Sequence, residues 1–392
     1  MILTNEQEQA LKIILNKYKN HEKYVTICGY AGVGKSTLAK FAIEALDVSP
    51  EKVAYATYTG KAAEVLRKKG NSNAMTLHKL LYDSIPRQGG GFIRIPKKTL
   101  DYDIVLIDEI SMAPKSMLEM LLKHKVFCIF MGDNFQLPQI DKNEAHDFLQ
   151  HPDIFLSTVM RQAAESEIIQ LTMKIRNGED IPFMHGKEVI VAPKAELVTG
   201  HLTWADIIIC ATNKTRHNMN RQKRELLGYS GVLQTGERII VKRNYWEDCD
   251  EDGNALVNGT VGTVANPYES FVRIPSYIKN DRRDLPLIGC IFTPDGGKSF
   301  DTFEIDKDYL LKEEPCVDWR VSYQLGKLKP KIGDILPKQA TYGYALTCHA
   351  AQGSEFDKVL VIEESFPFDK KEHARWLYTA CTRAAEKLVL VR

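Results

Sequence analysis

The sequence has almost no net charge to offer. Its 52 lysines and arginines are matched by 51 aspartates and glutamates, leaving +1 over 392 residues. A global basic field is therefore excluded, and a nucleic-acid partner would have to be met by positive charge gathered in a groove. Paired cysteines are lacking as well. The eight, at 28, 128, 210, 249, 290, 316, 348 and 381, form no C-x-x-C, and several lie in apolar runs such as Phe127-Cys128-Ile129-Phe130. That is the pattern of buried, reduced thiols in a cytoplasmic protein. No apolar stretch reaches membrane-spanning length, and Met1-Ile2-Leu3-Thr4-Asn5-Glu6 has no basic region followed by an apolar one. The expectation is a cytoplasmic chain with neither secretory signal nor membrane partner. Internal repeats and low-complexity segments are also missing. The composition, 44% hydrophobic and 26% charged, is ordinary for globular proteins, and the length suits about two to four domains with real cores.

What is present begins with Gly29-Tyr30-Ala31-Gly32-Val33-Gly34-Lys35-Ser36, which fits the phosphate-cradling pattern G-x-x-x-x-G-K-[ST]. An apolar strand-like run, Tyr24–Cys28, precedes it and a helical pattern, Ser36–Leu46, follows. This is the context in which glycine-rich backbone wraps phosphate oxygens at a helix start. Lys35 would reach the β- and γ-phosphates and the Ser36 hydroxyl would hold Mg²⁺. Val105-Leu106-Ile107 ends in Asp108-Glu109. In a nucleotide hydrolase, Asp108 would hold Mg²⁺ and Glu109 would polarise the attacking water, both at the C-terminal edge of a sheet. A third apolar run, Phe127–Met131, leads into Gly132-Asp133-Asn134-Phe135-Gln136-Leu137-Pro138, which places Gln136 to contact the γ-phosphate.

Strand-like and helix-like segments alternate over the first 150 residues, which predicts a parallel sheet covered by helices on both faces. The pattern breaks at Pro86–Pro96, read as a small hairpin excursion. A second alternating region begins near Leu156. From Gly236 to about Lys338 short strand-like runs dominate, such as Arg238–Val241 and Thr260–Val264, as in a small all-β barrel. Alternation resumes after Gln339. The predicted organisation is α/β: 1–150, then 151–235 with 339–392, and 236–338 as an insertion into the second unit.

With these motifs in order, the chain resembles a superfamily 1B helicase of the RecD/Dda type. Leu3-Thr4-Asn5-Glu6-Gln7 resembles the adenine-reading Q motif, and Ala56–Ala63 the motif that grips the strand backbone. Thr76-Leu77-His78 resembles the next strand-contacting motif, and Leu156–Arg161 the segment whose arginine faces the γ-phosphate. Tyr344–Glu355 and Leu377–Ala384 resemble the last two motifs. The sequence departs from the family at Tyr58, Gln139 and Ala350, where proline, proline and lysine are frequent. The resemblance implies two RecA-like P-loop domains, an inserted SH3-like barrel at 236–338 and a strand-separating pin at about 84–99. ATP and Mg²⁺ would be held by Gln7, Gly29, Gly32, Val33, Gly34, Lys35, Ser36, Thr37, Gly353, Glu355 and Asp108. Lys35, Asp108, Glu109, Gln136 and two arginine fingers, Arg161 and Arg383, would act on the triphosphate. DNA would be met by Thr57, Thr59, Lys61, Thr76, His78, Phe135, Asn213, Thr347 and His349.

An arginine in a second domain reaches a γ-phosphate only when the domains close, which makes hydrolysis a mechanical switch. His78 and His349 lack metal-ligand neighbours, and the adjacent Thr76 and Thr347 favour hydrogen bonding to strand phosphates. Tyr58, Phe92, Phe135 and Trp376 are either base-stacking platforms or core. The expected activity is ATP-dependent 5′-to-3′ translocation on single-stranded DNA with unwinding of forked duplex, by a monomer. A single-strand-binding protein or replication and recombination factors are possible partners. Three alternatives stay open here: a translocase without robust unwinding, a P-loop kinase or small-molecule ATPase, and a binding module with a vestigial nucleotide site.

Overall fold

The computed structural model describes all residues except 1–2, 69, 72, 87–91, 140, 160–164, 250–254, 275, 277–283, 317–336 and 366–368. Eight strands open the chain: β1 (Tyr24–Gly29), β2 (Val53–Thr57), β3 (Met75–Thr76), β4 (Tyr82–Pro86), β5 (Phe92–Pro96), β6 (Ile104–Ile107), β7 (Phe127–Gly132) and β8 (Ile154–Leu156). Six of them form a parallel sheet in the order β3-β2-β6-β7-β1-β8. β6 and β7 are buried along their whole length, as strands covered on both faces must be. The helix Asn5–Lys19 starts with a capping box, in which Thr4 accepts from the Gln7 N–H and the Gln7 side chain accepts from the Thr4 N–H.

The first sheet reaches past the expected boundary at 150. Ile27 to Gly29 pair with Ile154 to Leu156, because Asp153 is fixed to the N–H and hydroxyl of Thr26 at 2.9 and 3.0 Å. The excursion is an antiparallel pair in which Tyr82–Pro86 lies against Phe92–Pro96; its tip, 87–91, lies outside the described residues.

The second α/β unit is built from β9 (Met184–His185), β10 (Val189–Ala192) and β11 (Ile207–Cys210), and is completed late in the chain. Between them come β12 (Arg238–Val241), β13 (Tyr245–Cys249), β14 (Ala255–Leu256), β15 (Val261–Arg273), β16 (Asp284–Pro294), β17 (Phe300–Asp306) and β18 (Ala340–Tyr342). The strands β19 (Ala345–Thr347), β20 (Phe356–Ile362) and β21 (Ala384–Val391) then return. The second sheet has the order β19-β11-β20-β21-β10-β9, parallel apart from the β9 edge. The insertion forms a five-stranded antiparallel sheet, β17-β16-β15-β12-β18, and a β13–β14 pair. It extends past Lys338, because Ala340–Tyr342 pairs with Arg238–Val241. Its entering and leaving strands are thus direct neighbours.

Two ion pairs fasten the insertion to the second unit. Arg216, 2% exposed, pairs with Glu313 at 2.5 Å, and Arg224 grips the buried Glu237 through two bonds of 2.7 Å.

A nucleotide cavity between two sheets

Five strands of the first sheet end at one edge. Gly29, Thr57, Ile107, Gly132 and Leu156 end β1, β2, β6, β7 and β8, and the polar motifs follow them directly. In register, Cys28 lies opposite Gly132 and Ala56 opposite Ile107. The phosphate-cradle loop, Asp108-Glu109 and Asp133 are thereby brought side by side where open parallel sheets receive ligands. Gly32 and Gly34 adopt φ of 75° and 79°, left-handed conformations that glycine takes at no steric cost. Gly34 precedes the helix Lys35–Ala45, whose first N–H groups have no intrahelical acceptor. The Lys35 ammonium donates to the Gly29 and Tyr30 carbonyls, both at 2.9 Å. The Gln7 amide donates to the Val33 carbonyl at 3.3 Å, fixing the amino-terminal helix on the loop.

Glu109 is one of few non-glycine residues with positive φ, at 54°. Its N–H donates to Asp108 Oδ1 at 2.9 Å, and Gln136 Nε2 donates to Glu109 Oε1 at 3.4 Å. Glu109 Oε2 and Gln136 Oε1 are buried with no hydrogen-bond partner. A strained carboxylate beside unsatisfied polar atoms is the signature of a site built for a further reactant.

The second sheet turns its opposite edge to this place. Glu355 and Arg383 immediately precede β20 and β21, and the Phe356 N–H donates to the Arg383 carbonyl at 2.9 Å. The Arg383 guanidinium is held by the carbonyls of Thr379 and Ser354, at 3.1 and 3.2 Å, and by the Thr382 hydroxyl at 3.1 Å. One cavity of about 240 Å³ is lined by Ala31, Lys35, Ser36, Asp108, Glu109 and Gln136 from the first unit and by Gly353, Ser354, Glu355 and Arg383 from the second. Lys35 and Arg383 thus share a single crevice. Gly353 closes its wall: at φ 73° a Cβ there would lie 3.0 Å from the Thr59 hydroxyl and 3.2 Å from Ala62. Thr37 lines a second, larger hollow beside it, of about 610 Å³, together with Ser36 and Asp108.

The expected strand-contacting residues divide. Thr57 and Thr76 are buried and use their hydroxyls internally, Thr57 donating to the Thr59 carbonyl and Thr76 capping a helix at Lys79 N–H. Both hydroxyls shape the loops that follow their strands, and Thr57 also lines the cavity between the sheets. Lys61 pairs with Glu64 at 3.1 Å and lies against Gly259 of the insertion. His78 stands between Tyr58 and Tyr82, at ring separations of 5.9 and 6.2 Å. Burial, then the charge of Arg94, pushes its imidazole pKa down, and burial does the same at His349. Thr347 caps the short helix Cys348–Ala351, and the exposed Asn213 accepts from Arg216. Phe135 packs on the second unit's core, edge-on to Tyr378 at 5.3 Å. Trp376, 2% exposed, is core and not a stacking platform. Arg161 falls in 160–164 and the tip of the expected pin in 87–91; both segments lie outside the described residues.

Sequence reasoning passed over Arg176. Ile168, Leu171 and Ile175 at helical spacing, closed by Gly178, mark its helix, Glu167–Asn177.

Fold and cavity define a P-loop nucleotide-binding protein of two parallel-sheet α/β units. Residues 2–189 match the AAA domain family and 342–391 the UvrD-like helicase C-terminal domain. The chain is 30% identical over 191 residues to the ATP-dependent DNA helicase dda of Enterobacteria phage T4, covering 45% of this chain and 43% of that protein. It is 32% identical over 398 residues to the ATP-dependent RecD2 DNA helicase of Deinococcus radiodurans, covering 97% of this chain and 48% of that one. It therefore spans less than half the length of these relatives. The crystal structure of the Candida albicans Pif1 helicase covers all of the chain and 95% of its own, with TM-score 0.52 and 20% identity. A Bacteroides Pif1 helicase in complex with ADP-AlF3 and ssDNA gives 0.54 and 19%, covering 100% and 92%. These two show the fold. The chain is thus similar to ATP-dependent DNA helicases such as dda and RecD2.

Proposed function

We propose that this chain is an ATP-dependent DNA helicase that moves 5′ to 3′ on single-stranded DNA and opens forked duplex. The observation that carries the reading is the shared crevice, in which Lys35, Asp108 and Glu109 of one sheet face Arg383 of the other. Such a crevice can sense a triphosphate only by closing, so hydrolysis alters how the two halves are held together. Glu109 orients water for attack on the γ-phosphorus, with Gln136 beside it to register the phosphate. Arg383 offsets charge as the bond to the leaving diphosphate breaks, an effect worth ~10³–10⁵ in rate in comparable enzymes. No group of three or more His, Cys, Asp or Glu that could hold a metal occurs among the described residues. The Ser36 hydroxyl and Asp108 carboxylate, two hard oxygen donors on one cavity, suit Mg²⁺ shared with phosphate. That ion would neutralise phosphate charge.

The further assignments follow the same reading. The five-stranded insertion is the SH3-like module, the β4–β5 pair the base of the pin, and Thr59, Lys61, His78, Thr347 and His349 the track for the strand. Arg161 acts as the second finger, and a monomer suffices because both arginines are in cis. No helix among the described residues is long and apolar enough to cross a membrane. Melting each base-pair step costs ~1.4 kcal/mol, which repeated small steps can supply. The test is ATP hydrolysis with and without single-stranded DNA, followed by a fork carrying a 5′ tail. Hydrolysis indifferent to DNA would point to a small-molecule ATPase, and unwinding only from a 3′ tail would overturn the polarity.

A further inference from the structure

The loop after β7 is held almost entirely by the other half of the molecule. Asp133, 1% exposed, accepts from the Phe135 N–H at 2.9 Å, from Arg176 Nη1 at 2.6 Å and from the Tyr378 hydroxyl. The last two belong to the second unit. Arg176 Nη2 also donates to Asn134 Oδ1, and Arg375 donates to the Asn134 carbonyl, each at 2.5 Å. Farther along, the Leu137 N–H donates to the Thr379 hydroxyl at 3.0 Å and its carbonyl accepts from Gln352 at 2.9 Å. Arg375, Tyr378 and Thr379 stand at i, i+3 and i+4, so one face of the helix Lys370–Cys381 grips this loop. Arg383 follows that helix by two residues. Whatever seats the helix seats Arg383 over the phosphate cradle.

Arg176 supplies the charge in this joint and also reaches the cradle itself. Its guanidinium lies over the Tyr30 ring at 4.3 Å and the Phe135 ring at 4.9 Å. The Tyr378 hydroxyl that it helps to place accepts from the Ala31 N–H at 3.4 Å. Burial works against the Arg176 charge, and neighbouring Asp133 more than compensates, holding its pKa up. Arg176 is not among the residues lining the nucleotide cavity. We infer that Arg176 is a positioning residue: it locks the loop Asp133–Leu137 to the helix Lys370–Cys381 and so sets the closed register in which Arg383 and Gln136 meet the same phosphate. This rests on the ATP-hydrolase reading. Asp133 has to be neutralised in any case, so the rival explanation is that Arg176 merely compensates a buried carboxylate.

The experiment compares Arg176→Lys, Arg176→Met and the double variant Asp133→Asn/Arg176→Met with the parent. It measures ATP turnover on oligo-dT, ADP affinity and thermal midpoint. If the parent does not hydrolyse ATP in response to oligo-dT, the functional reading fails and not this one. Given an active parent, Arg176→Met should lower kcat by roughly tenfold or more while ADP affinity changes less than about threefold. Arg176→Lys keeps the charge but cannot span Asp133 and Asn134 together, so it should stay well below parent kcat. The double variant should regain thermal midpoint but not kcat. Parent-like kcat in Arg176→Lys or in the double variant would show that charge compensation is all Arg176 does and would overturn the inference. Equal losses in kcat and in ADP affinity would also overturn it.

Discussion

Leu137 belongs by chain order to the first unit but lies, 8% exposed, in the apolar core of the second, among residues such as Leu171, Ile175 and Trp376. It acts as a plug whose burial depends on the two units being together. Burying a leucine side chain is worth about 2 kcal/mol. Leu137→Ala should therefore weaken closure by roughly 30-fold, since 1.4 kcal/mol is tenfold in an equilibrium constant. The Leu137 backbone bonds to Thr379 and Gln352 are kept, so the loss is one of apolar contact alone. Where the closed state is only partly populated during turnover, that factor passes into kcat. The assay is steady-state ATP hydrolysis at saturating oligo-dT, with ADP affinity measured in parallel. A fall in kcat with nearly unchanged ADP affinity is expected. If kcat stays within about twofold of the parent, Leu137 is not part of the switch and the coupling of loop to closure is wrong.

Three other outcomes are expected. Lys35→Ala and Arg383→Ala should each lower ATP turnover by ~10³ or more while the fold persists by circular dichroism; substantial turnover in Arg383→Ala would place the finger elsewhere. Glu109→Gly should abolish hydrolysis yet raise the melting midpoint. It relieves a left-handed conformation worth about 1 kcal/mol, or roughly 2–4 °C; a lower midpoint by calorimetry would refute the strain. Burial pushes the Asp153 carboxyl pKa up, but bonds from Lys17 and Thr26 more than offset this and hold it below its usual value of 3.8. A lowered folded pKa gives stability that is complete above the ordinary carboxylate range and is lost as pH falls through the folded value. The stability gap between the parent and Asp153→Asn should thus be largest above about pH 5 and shrink toward about pH 2. A gap that grew on acidification would reverse the assignment.

The nucleotide side of the molecule was legible because its chemistry is local. A strand, a glycine turn and a helix start lie within thirteen residues of sequence between Tyr24 and Ser36, and their meaning does not depend on distant neighbours. Asp108, Glu109 and Gln136 were readable for the same reason, since each follows an apolar run that must end at the sheet edge. The joint between the halves was not. Arg176 and Asp133 are 43 positions apart, and Tyr378 and Asp133 are 245 apart; nothing in either segment alone marks a partner. Thr57 and Thr76 were ambiguous because a threonine after a strand suits a phosphate contact as well as a turn or a cap. Burial decides between them, and burial is set by the three-dimensional fold. The same holds for β8, whose three residues are too short to carry a pattern and join the first sheet through Asp153 and Thr26.

The pairing of Arg238–Val241 with Ala340–Tyr342 means that the polypeptide departs for its β module and comes home through adjacent, hydrogen-bonded rungs. Such a docking port is closed at its base. Strands hung beyond that base can be lengthened or trimmed without transmitting a change in spacing to the sheet that carries Arg383, as long as the anchors at Glu237 and Glu313 are kept. Diversification of the β module can therefore proceed with little effect on the two sheets that line the cavity.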